Sequence, residues 1–466
     1  MSDCEVAIVG GGFSGITVAA QLARLAPEGL SVHLFEDGAI ARGAAYGTRH
    51  GEHLLNTRAS AMTALVDDPD HFVRWLAGSA QPHEFVSRRT YGDYLESIAT
   101  DAFGHPGFKR IEDRVESVEP LPQGGFSITD SQGRSTRSTY AVLAVGHASP
   151  STGFLPDEMV ASNRFVADPW RFDYSAVEGD VLVIGSGLTA LDAVSALRTG
   201  GHRGRIDVVS RHGRFPQTHT EFPAPYDAAP LLDASDARRL LRSFRQCLVA
   251  AANRGYDWRC VVDALRPHSE SLWRRLPEAE RLRFDRHLRG RWELRRHRAP
   301  QAVAEALDVY RDSGRLGFFA GTIRGYRDSR VEIALTNGST LTLEPRWIVN
   351  CTGPARGMAG FDRAPLAGLR RIGALSPSPS GRGVAVDGSM HPIGRDGTAV
   401  PGLFAVGPLA GGSFFESTAV PELRVQARAA AAAIVKERAA GRTGGYLWMT
   451  TPLGDLNLIL SAFPDW

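Results

Sequence analysis

The 466-residue chain has only four cysteines, and no two of them form a CxxC pair or a metal-like spacing. Cys4, Cys247, Cys260 and Cys351 are scattered, so they read as reduced core or surface thiols. A redox dithiol is excluded unless two distant thiols meet in space. No apolar run approaches the roughly twenty residues that span a bilayer. The N-terminus lacks the basic start, apolar centre and small-residue cleavage site of a secretory signal and runs directly into an apolar strand, which implies a soluble protein of the cytoplasm. The net charge is only +2, too small to argue for nucleic acid. What remains is ordinary globular composition, 43% hydrophobic and 22% charged, in a chain long enough for two or three packed domains.

The informative stretches are two glycine turns. At the start, Val6 to Val9 is an apolar run suited to a buried parallel strand. It leads into Gly10-x-Gly12-x-x-Gly15 and then a helical segment, Ile16 to Leu25. Gly10 permits the tight turn, Gly12 lets a pyrophosphate approach the backbone, and Gly15 lets helix and strand pack closely. A second strand, SVHLF, ends on Glu36, about twenty residues past the last glycine, where an acid grips the adenosine ribose. An acid there repels a 2′-phosphate, so this first site suits FAD or NAD.

The second turn lies in mid-chain. VLVIGSGLTALDAV (Val181 to Val194) places Gly185, Gly187 and Ala190 between a strand and a helix, and the following strand, RIDVVS, ends on Ser210 and Arg211. No acid is placed to take a 2′-hydroxyl, and a guanidinium is placed to take a 2′-phosphate, unless Arg211 points into solvent. A hydrogen bond to a charged group is worth about 1.5–3 kcal/mol net, roughly a ten- to hundredfold preference for NADPH over NADH. NADH is disfavoured by this argument and not forbidden. Two nucleotide sites of opposite preference make sense where one holds a fixed flavin and the other a reductant that must reach it.

The predicted architecture is α/β, a flavoprotein with two Rossmann-like βαβ domains. An FAD domain split into residues 1–150 and 346–440 carries an inserted NADPH domain of about 165–345. TYAVLAVGH (Thr139 to His147) and RWIVNCTGP (Arg346 to Pro354) each end at a glycine turn, Gly146 and Gly353. They look like the crossovers by which the chain leaves and re-enters the FAD domain. Residues 235–306, rich in Arg, Leu and Trp at helical spacing, form a helical insert that covers the cleft, with a solvated arginine face in preference to a nucleic-acid surface. The apolar tail, 441–466, docks either on the body or on another subunit of a homo-oligomer, and the sequence leaves both open.

The combination of ARGAAYG (Ala41 to Gly47), HLLNTRASAM (His53 to Met62), DDPDHFVRWL (Asp67 to Leu76), ADPW (Ala167 to Trp170), GHRGRIDVVSRHG (Gly201 to Gly213), RHRAP (Arg296 to Pro300) and ESTAVPELR (Glu416 to Arg424) resembles the bacterial FAD-NAD(P)-binding protein family. That family is similar to the flavin-dependent N-hydroxylating monooxygenases and the Baeyer–Villiger enzymes, and includes an FAD-dependent urate hydroxylase and amino-acid N-oxygenases. The resemblance implies that the loop holding Arg42 and Gly43 lies along the flavin and that Asn56 approaches the flavin ring or the nicotinamide. In related flavoproteins the turn at Gly407 offers an acid to the flavin ribitol, but here Pro408 follows it. The histidine-centred fingerprint of Baeyer–Villiger enzymes is absent from FVADPWRFDY, which weakens a ketone-oxidation reading.

The implied activity is an NADPH-driven monooxygenase that uses molecular oxygen through a C4a-(hydro)peroxyflavin on a small polar or anionic metabolite. Urate is the best single substrate, amino-acid or amine N-hydroxylation is the alternative, and a reductase or dehydrogenase without oxygen transfer is a further one. A planar anion needs a cationic anchor, for which Arg298 and Arg42 are candidates. A phosphate or helix-terminus contact fits Arg298 equally well. His53, His147 and His297 are acid–base candidates, each also open to a structural hydrogen bond.

Overall fold

The computed structural model describes residues 3–25, 28–221, 226–355, 360 and 362–441. Residues 442–466 of the expected docking tail lie outside them. Among the described residues, fourteen strands form two seven-stranded sheets. The first contains β1 (Cys4–Val9), β2 (Val32–Phe35), β3 (Phe108–Ile111), β4 (Val115–Pro120), β5 (Phe126–Asp130) and β6 (Ser135–Leu143). Their order is β3-β2-β1-β6-β5-β4, and a distant strand, β14 (Leu403–Ala405), pairs with the end of β6. The second contains β7 (Phe165–Val166), β8 (Val181–Ile184), β9 (Ile206–Ser210), β10 (Leu316–Arg327), β11 (Arg330–Leu335), β12 (Thr340–Leu343) and β13 (Trp347–Asn350), in the order β12-β11-β10-β9-β8-β13-β7. Because β14 follows the whole second sheet in sequence and returns to the first, one dinucleotide-binding unit is inserted within the other.

The strand composition explains the layering. All four residues of VHLF in β2 and of VLVI in β8 are buried, as parallel strands covered on both faces require. The helix Phe13–Leu25 lies between the first sheet and the alanine-rich helix Val420–Ala439. Ala427, Ala430 and Ala431 are fully buried at that contact, where small side chains permit close approach. Pro421 sits in the first turn of the second helix, where its missing N–H costs nothing.

One strand belongs elsewhere than its sequence position suggests. RWIVNCTGP was expected to start the returning FAD segment at 346, but β13 pairs in parallel with β8 and β7 in the second sheet. The apolar side chains of Ile348 and Val349 are fully buried there, so the chain returns toward the first sheet only beyond Asn350.

The cover is built of five helices, Ala237–Asn253, Trp258–Leu265, Ser269–Arg275, Glu278–His287 and Arg289–Arg296. Asp236 and Asp257 cap the first two by accepting from the N–H groups of Arg239 and Arg259. The expected solvated face is present at Arg238, Arg239, Arg242 and Arg245, all exposed. The stretch beyond Arg296 departs from the expected insert, because Gln301–Asp312 packs Val303, Leu307 and Tyr310 against Leu191, Val194 and Leu197 in the core of the second sheet. Among the described residues no helix is long and apolar enough to cross a membrane.

An aromatic side chain from the first unit is seated in the cover. Phe415 enters an aromatic nest of Trp273, Phe284 and Trp292, with ring centroids 5.3, 5.7 and 5.8 Å away. Its N–H donates to Glu270 at 2.9 Å, and its carbonyl accepts from both Arg289 and Arg382 at 3.2 Å. Phe415→Ala should cost about 2 kcal/mol, below the range for a fully buried phenylalanine because the ring is only partly buried. It should also speed proteolytic cleavage within residues 237–296 while leaving the two sheets intact, and an unchanged cleavage rate would show that the cover is held by other contacts.

Candidate functional site

The first glycine turn is a cradle that side chains would fill. A Cβ on Gly10 would meet the Ala144 carbonyl oxygen at 2.5 Å, and one on Gly15 would meet the Gly10 carbonyl oxygen at 1.9 Å. Gly10 also has a φ of +103°, a region that other residues rarely adopt. Glu36, just past β2, accepts from Gly11 N–H at 2.7 Å and from Gly38 N–H at 3.1 Å, which sets its carboxylate against the turn. The loop after it folds back, with Ala41 N–H donating to the Gly11 carbonyl at 2.7 Å. Gly43 then faces Gly12 so closely that a Cβ on Gly43 would lie 3.3 Å from the Gly12 Cα. Gly407, with a φ of +76°, abuts Ser14 at the start of the same helix. Its N–H donates to Gln426, and Pro408 faces the cavity where relatives were expected to carry an acid. These glycines, the open helix start and Glu36 fit the ADP half of FAD.

The second turn has the same plan with more room. Gly185 has a φ of +105° and packs on the Cys351 carbonyl, while nothing lies within 4 Å of a Cβ on Gly187. The helix Leu188–Thr199 starts at Gly187 with no side-chain cap, leaving N–H groups free for a pyrophosphate. Ala190, fully buried, stands where the first turn needs Gly15. Ser210 ends β9 with its hydroxyl 2.9 Å from that of Ser186, and Arg211 is exposed beside it. Gly146 and Gly353, with φ of +63° and +81°, close the two connections between the units.

Both units line one cavity of about 490 Å³. Tyr46, Asn56, Gly146, His147 and Pro408 reach it from the first unit and its connection, Leu188 and Thr189 from the second, and Arg289, Glu293, Arg296 and His297 from the cover. Asn56 sits in the wall, and its carbonyl lies 3.0 Å from His219 Nε2. Burial and neighbouring arginines push the His219 imidazole down to about 4, so it stays neutral. His219 escaped sequence reasoning, since nothing in QTHTEF marks it.

Three sequence candidates are placed elsewhere. Arg42 lies outside the cavity lining and pairs with Glu96 at 2.6 Å and Asp93 at 2.5 Å, beneath Gly92. Arg298 is also outside the lining, buried in an ion pair with Asp263. His53 is buried between Thr48 and the Asp192 carbonyl, and burial pushes its imidazole down to about 3, which suits packing and not proton transfer.

His297 does face the cavity. Its Nδ1 lies 2.6 Å from Glu293 and its Nε2 3.2 Å from Glu416, so each ring nitrogen meets a carboxylate. Burial alone would lower its pKa, but the two carboxylates outweigh that and raise it to about 9. Burial would raise Glu416, yet His297 and Arg296 hold it well below the usual carboxylate range. The signal was present in RGRWELRRHR, because Arg289, Glu293, Arg296 and His297 fall at i, i+4, i+7 and i+8 on one helical face.

Five guanidiniums line the cavity, from Arg88, Arg289, Arg296, Arg363 and Arg382, against the two carboxylates of Glu293 and Glu416. Asp192 stands 3.6 Å from Arg88, Asp285 pairs with Arg289 and Arg382, and Glu422 lies 3.9 Å from Arg296. Arg363 differs from the rest. Among the described residues it donates only to the carbonyls of Gly360, Val145 and Gly146, and burial lowers its pKa.

The His297 clasp has a defined pH window. Its protonated form contributes fully below about pH 6.5, the unfolded value, and is lost as the pH climbs through about 9. The depressed carboxylates set the opposite limit, holding above about pH 4.5 and weakening as the pH falls below it. Thermal melting of the wild type should therefore decline between roughly pH 6.5 and 9 in a step that His297→Gln lacks. An identical alkaline decline in both proteins would contradict this.

Residues 7–148 match the model of a family described as FAD-NAD(P)-binding. No curated protein sequence matches the chain. Among solved structures, the ornithine hydroxylase of Pseudomonas aeruginosa is similar over 94% of this chain and all of its own, at 15% identity and a TM-score of 0.61. The L-lysine 6-monooxygenase of Pseudomonas syringae matches over 94% of this chain and 99% of its own, at 18% identity and 0.57. The bacillithiol disulfide reductase of Bacillus cereus matches over 94% and 100%, at 14% identity and 0.57. At these identities the likeness is one of fold. The chain carries an FAD-NAD(P)-binding domain near its N-terminus, within a two-dinucleotide fold shared by N-hydroxylating monooxygenases and thioredoxin reductase-like proteins.

Proposed function

We propose that the protein is an FAD-dependent, NADPH-driven monooxygenase acting on a small anionic metabolite, with urate the first substrate to test. The observation that carries this reading is the shared cavity, which both units line and to which the helical cover adds cationic side chains. FAD, when bound, would supply electron transfer from the nicotinamide and activation of oxygen. The chain's own residues would supply position, charge and exclusion of water.

Arg363 has no carboxylate partner among the described residues, so it is the cation best placed to receive a substrate anion. His297 is protonated at neutral pH and cannot act as a base there. It would instead hold a positive charge, and a proton on each ring nitrogen, at the cover wall. Cover and clasp would keep bulk water from the reacting atoms.

The disulfide-reductase alternative needs a thiol at the flavin. All four cysteines are buried and free, and none lines the cavity. Burial pushes the Cys4 thiol up to about 12 and raises Cys351 well above its ordinary value, which leaves both unreactive. Amine N-hydroxylation remains the second reading, favoured by the fold shared with the ornithine and lysine hydroxylases.

The test is to follow NADPH oxidation, oxygen uptake and peroxide release together, adding urate and then ornithine, lysine or aspartate. Uptake stimulated by one substrate with little peroxide, and labelled oxygen in its product, is the expected result. Oxidation only with an added electron acceptor would replace this reading by a reductase. For an anionic substrate, Arg363→Ala should raise KM at least about tenfold, with partial recovery in Arg363→Lys. A KM unchanged by both would remove Arg363 from substrate binding.

A further inference from the structure

Beside the second glycine turn lies a slot of about 420 Å³ separate from the flavin cavity. Arg214 and Phe215 line it from the loop after β9, Phe318 from β10, and Leu294 and Arg295 from the last helix of the cover. The slot is tied to the turn itself, because the Ser186 hydroxyl, between Gly185 and Gly187, lies 2.7 Å from the Arg214 carbonyl. Its cover wall is fixed as well. Gln217 N–H donates to the Leu294 carbonyl at 3.0 Å, and Ala299 N–H donates to the Gln217 carbonyl at 2.8 Å.

Direction identifies the occupant. A dinucleotide with its pyrophosphate on the helix Leu188–Thr199 has two arms. Leu188 and Thr189 border the flavin cavity, so the nicotinamide arm runs there. The adenosine arm must run past the end of β9 toward β10, where the slot opens. Phe215 and Phe318 stack there with centroids 4.3 Å apart and planes 6° apart, and Phe318 is 36% exposed, which offers an apolar wall for a base. Arg214 and Arg295 both line the slot, are exposed, and have no ion-pair partner among the described residues, while no carboxylate lines the slot. Arg295 gives one N–H to the Arg291 carbonyl, and two guanidiniums without a carboxylate partner among the described residues, in one apolar-walled slot, suit a phosphate dianion.

We propose that this slot takes the adenine and 2′-phosphate end of NADPH, and that Arg295 of the cover shares the phosphate with Arg214. The proposal rests on the NADPH reading above and deepens it. It moves the phosphate grip from Arg211, at the strand end, to a pair of which one member belongs to the cover. Dinucleotide choice then depends on the cover as well as on the second sheet, since the 2′-phosphate bridges the two.

The test is calorimetric titration of the FAD-loaded protein with 2′,5′-ADP and with 5′-AMP, for the wild type and for Arg214→Ala, Arg295→Ala, Arg295→Lys, Arg211→Ala and Phe215→Ala. Arg245→Ala on the exposed helix face serves as the control. The wild type should bind 2′,5′-ADP at least about tenfold more tightly than 5′-AMP. Arg214→Ala and Arg295→Ala should each remove most of that difference and leave 5′-AMP binding within about twofold, Arg295→Lys should keep part of it, and Phe215→Ala should weaken both ligands. Preference for 2′,5′-ADP that survives Arg295→Ala but is lost in Arg211→Ala would overturn the proposal while keeping the NADPH reading. Equal wild-type affinity for the two ligands would overturn both the phosphate assignment and the NADPH reading, and would leave the oxygen-uptake test of the proposed activity unaffected.

Discussion

The contact on which the rest depends is the seating of Phe415 and Glu416 in the helical cover. It joins the helical cover to the first unit beside the cavity that both units line. The aromatic nest supplies apolar burial, while Arg289 and Arg382 share the Phe415 carbonyl and the His297–Glu416 pair adds charge at the cavity edge. Apolar contact of this kind does not titrate, whereas the ionic part is sensitive to pH. This contact therefore combines a permanent and a titratable fastening beside the same cavity.

A second join lies across the cavity. Arg88 of the first unit stacks on Trp170 at 5.0 Å and faces Asp192 of the second at 3.6 Å. Burial raises the Asp192 carboxyl to about 6, with Arg88 acting against the rise. These groups line or back the cavity, and a buried pair of this kind is weak evidence for stability because desolvation offsets its attraction.

Much of this was legible in the sequence because backbone sterics leave few options. The spacing of Gly10, Gly12 and Gly15, with Glu36 after the next strand, permits one kind of turn, and the same holds for Gly185 and Gly187. Ala190 in place of a third glycine is tolerated because the second turn is looser. The allegiance of β13 was not legible, since a short apolar strand reads alike in either sheet and only its pairing with β8 decides. Arg42 and Arg298 were chosen for charge and local motif, yet each is consumed by carboxylates brought from helices distant in sequence, Asp93 and Glu96 for one and Asp263 for the other. The face formed by Arg289, Glu293, Arg296 and His297 had the right helical spacing, but its partner Glu416 lies more than a hundred residues away. Local pattern shows which side chains share a face, and tertiary packing determines what that face meets.

The central claim is that the two nucleotide turns serve one cavity. Its most direct measurement is anaerobic mixing of the FAD-loaded protein with NADPH while the oxidised flavin absorbance is followed. The account predicts that NADPH bleaches the flavin without any added mediator or partner protein, and that blocking the second turn with Gly187→Trp abolishes the bleaching while FAD stays bound. A flavin that stays oxidised under NADPH, or one that is bleached equally well in the blocked variant, would contradict it.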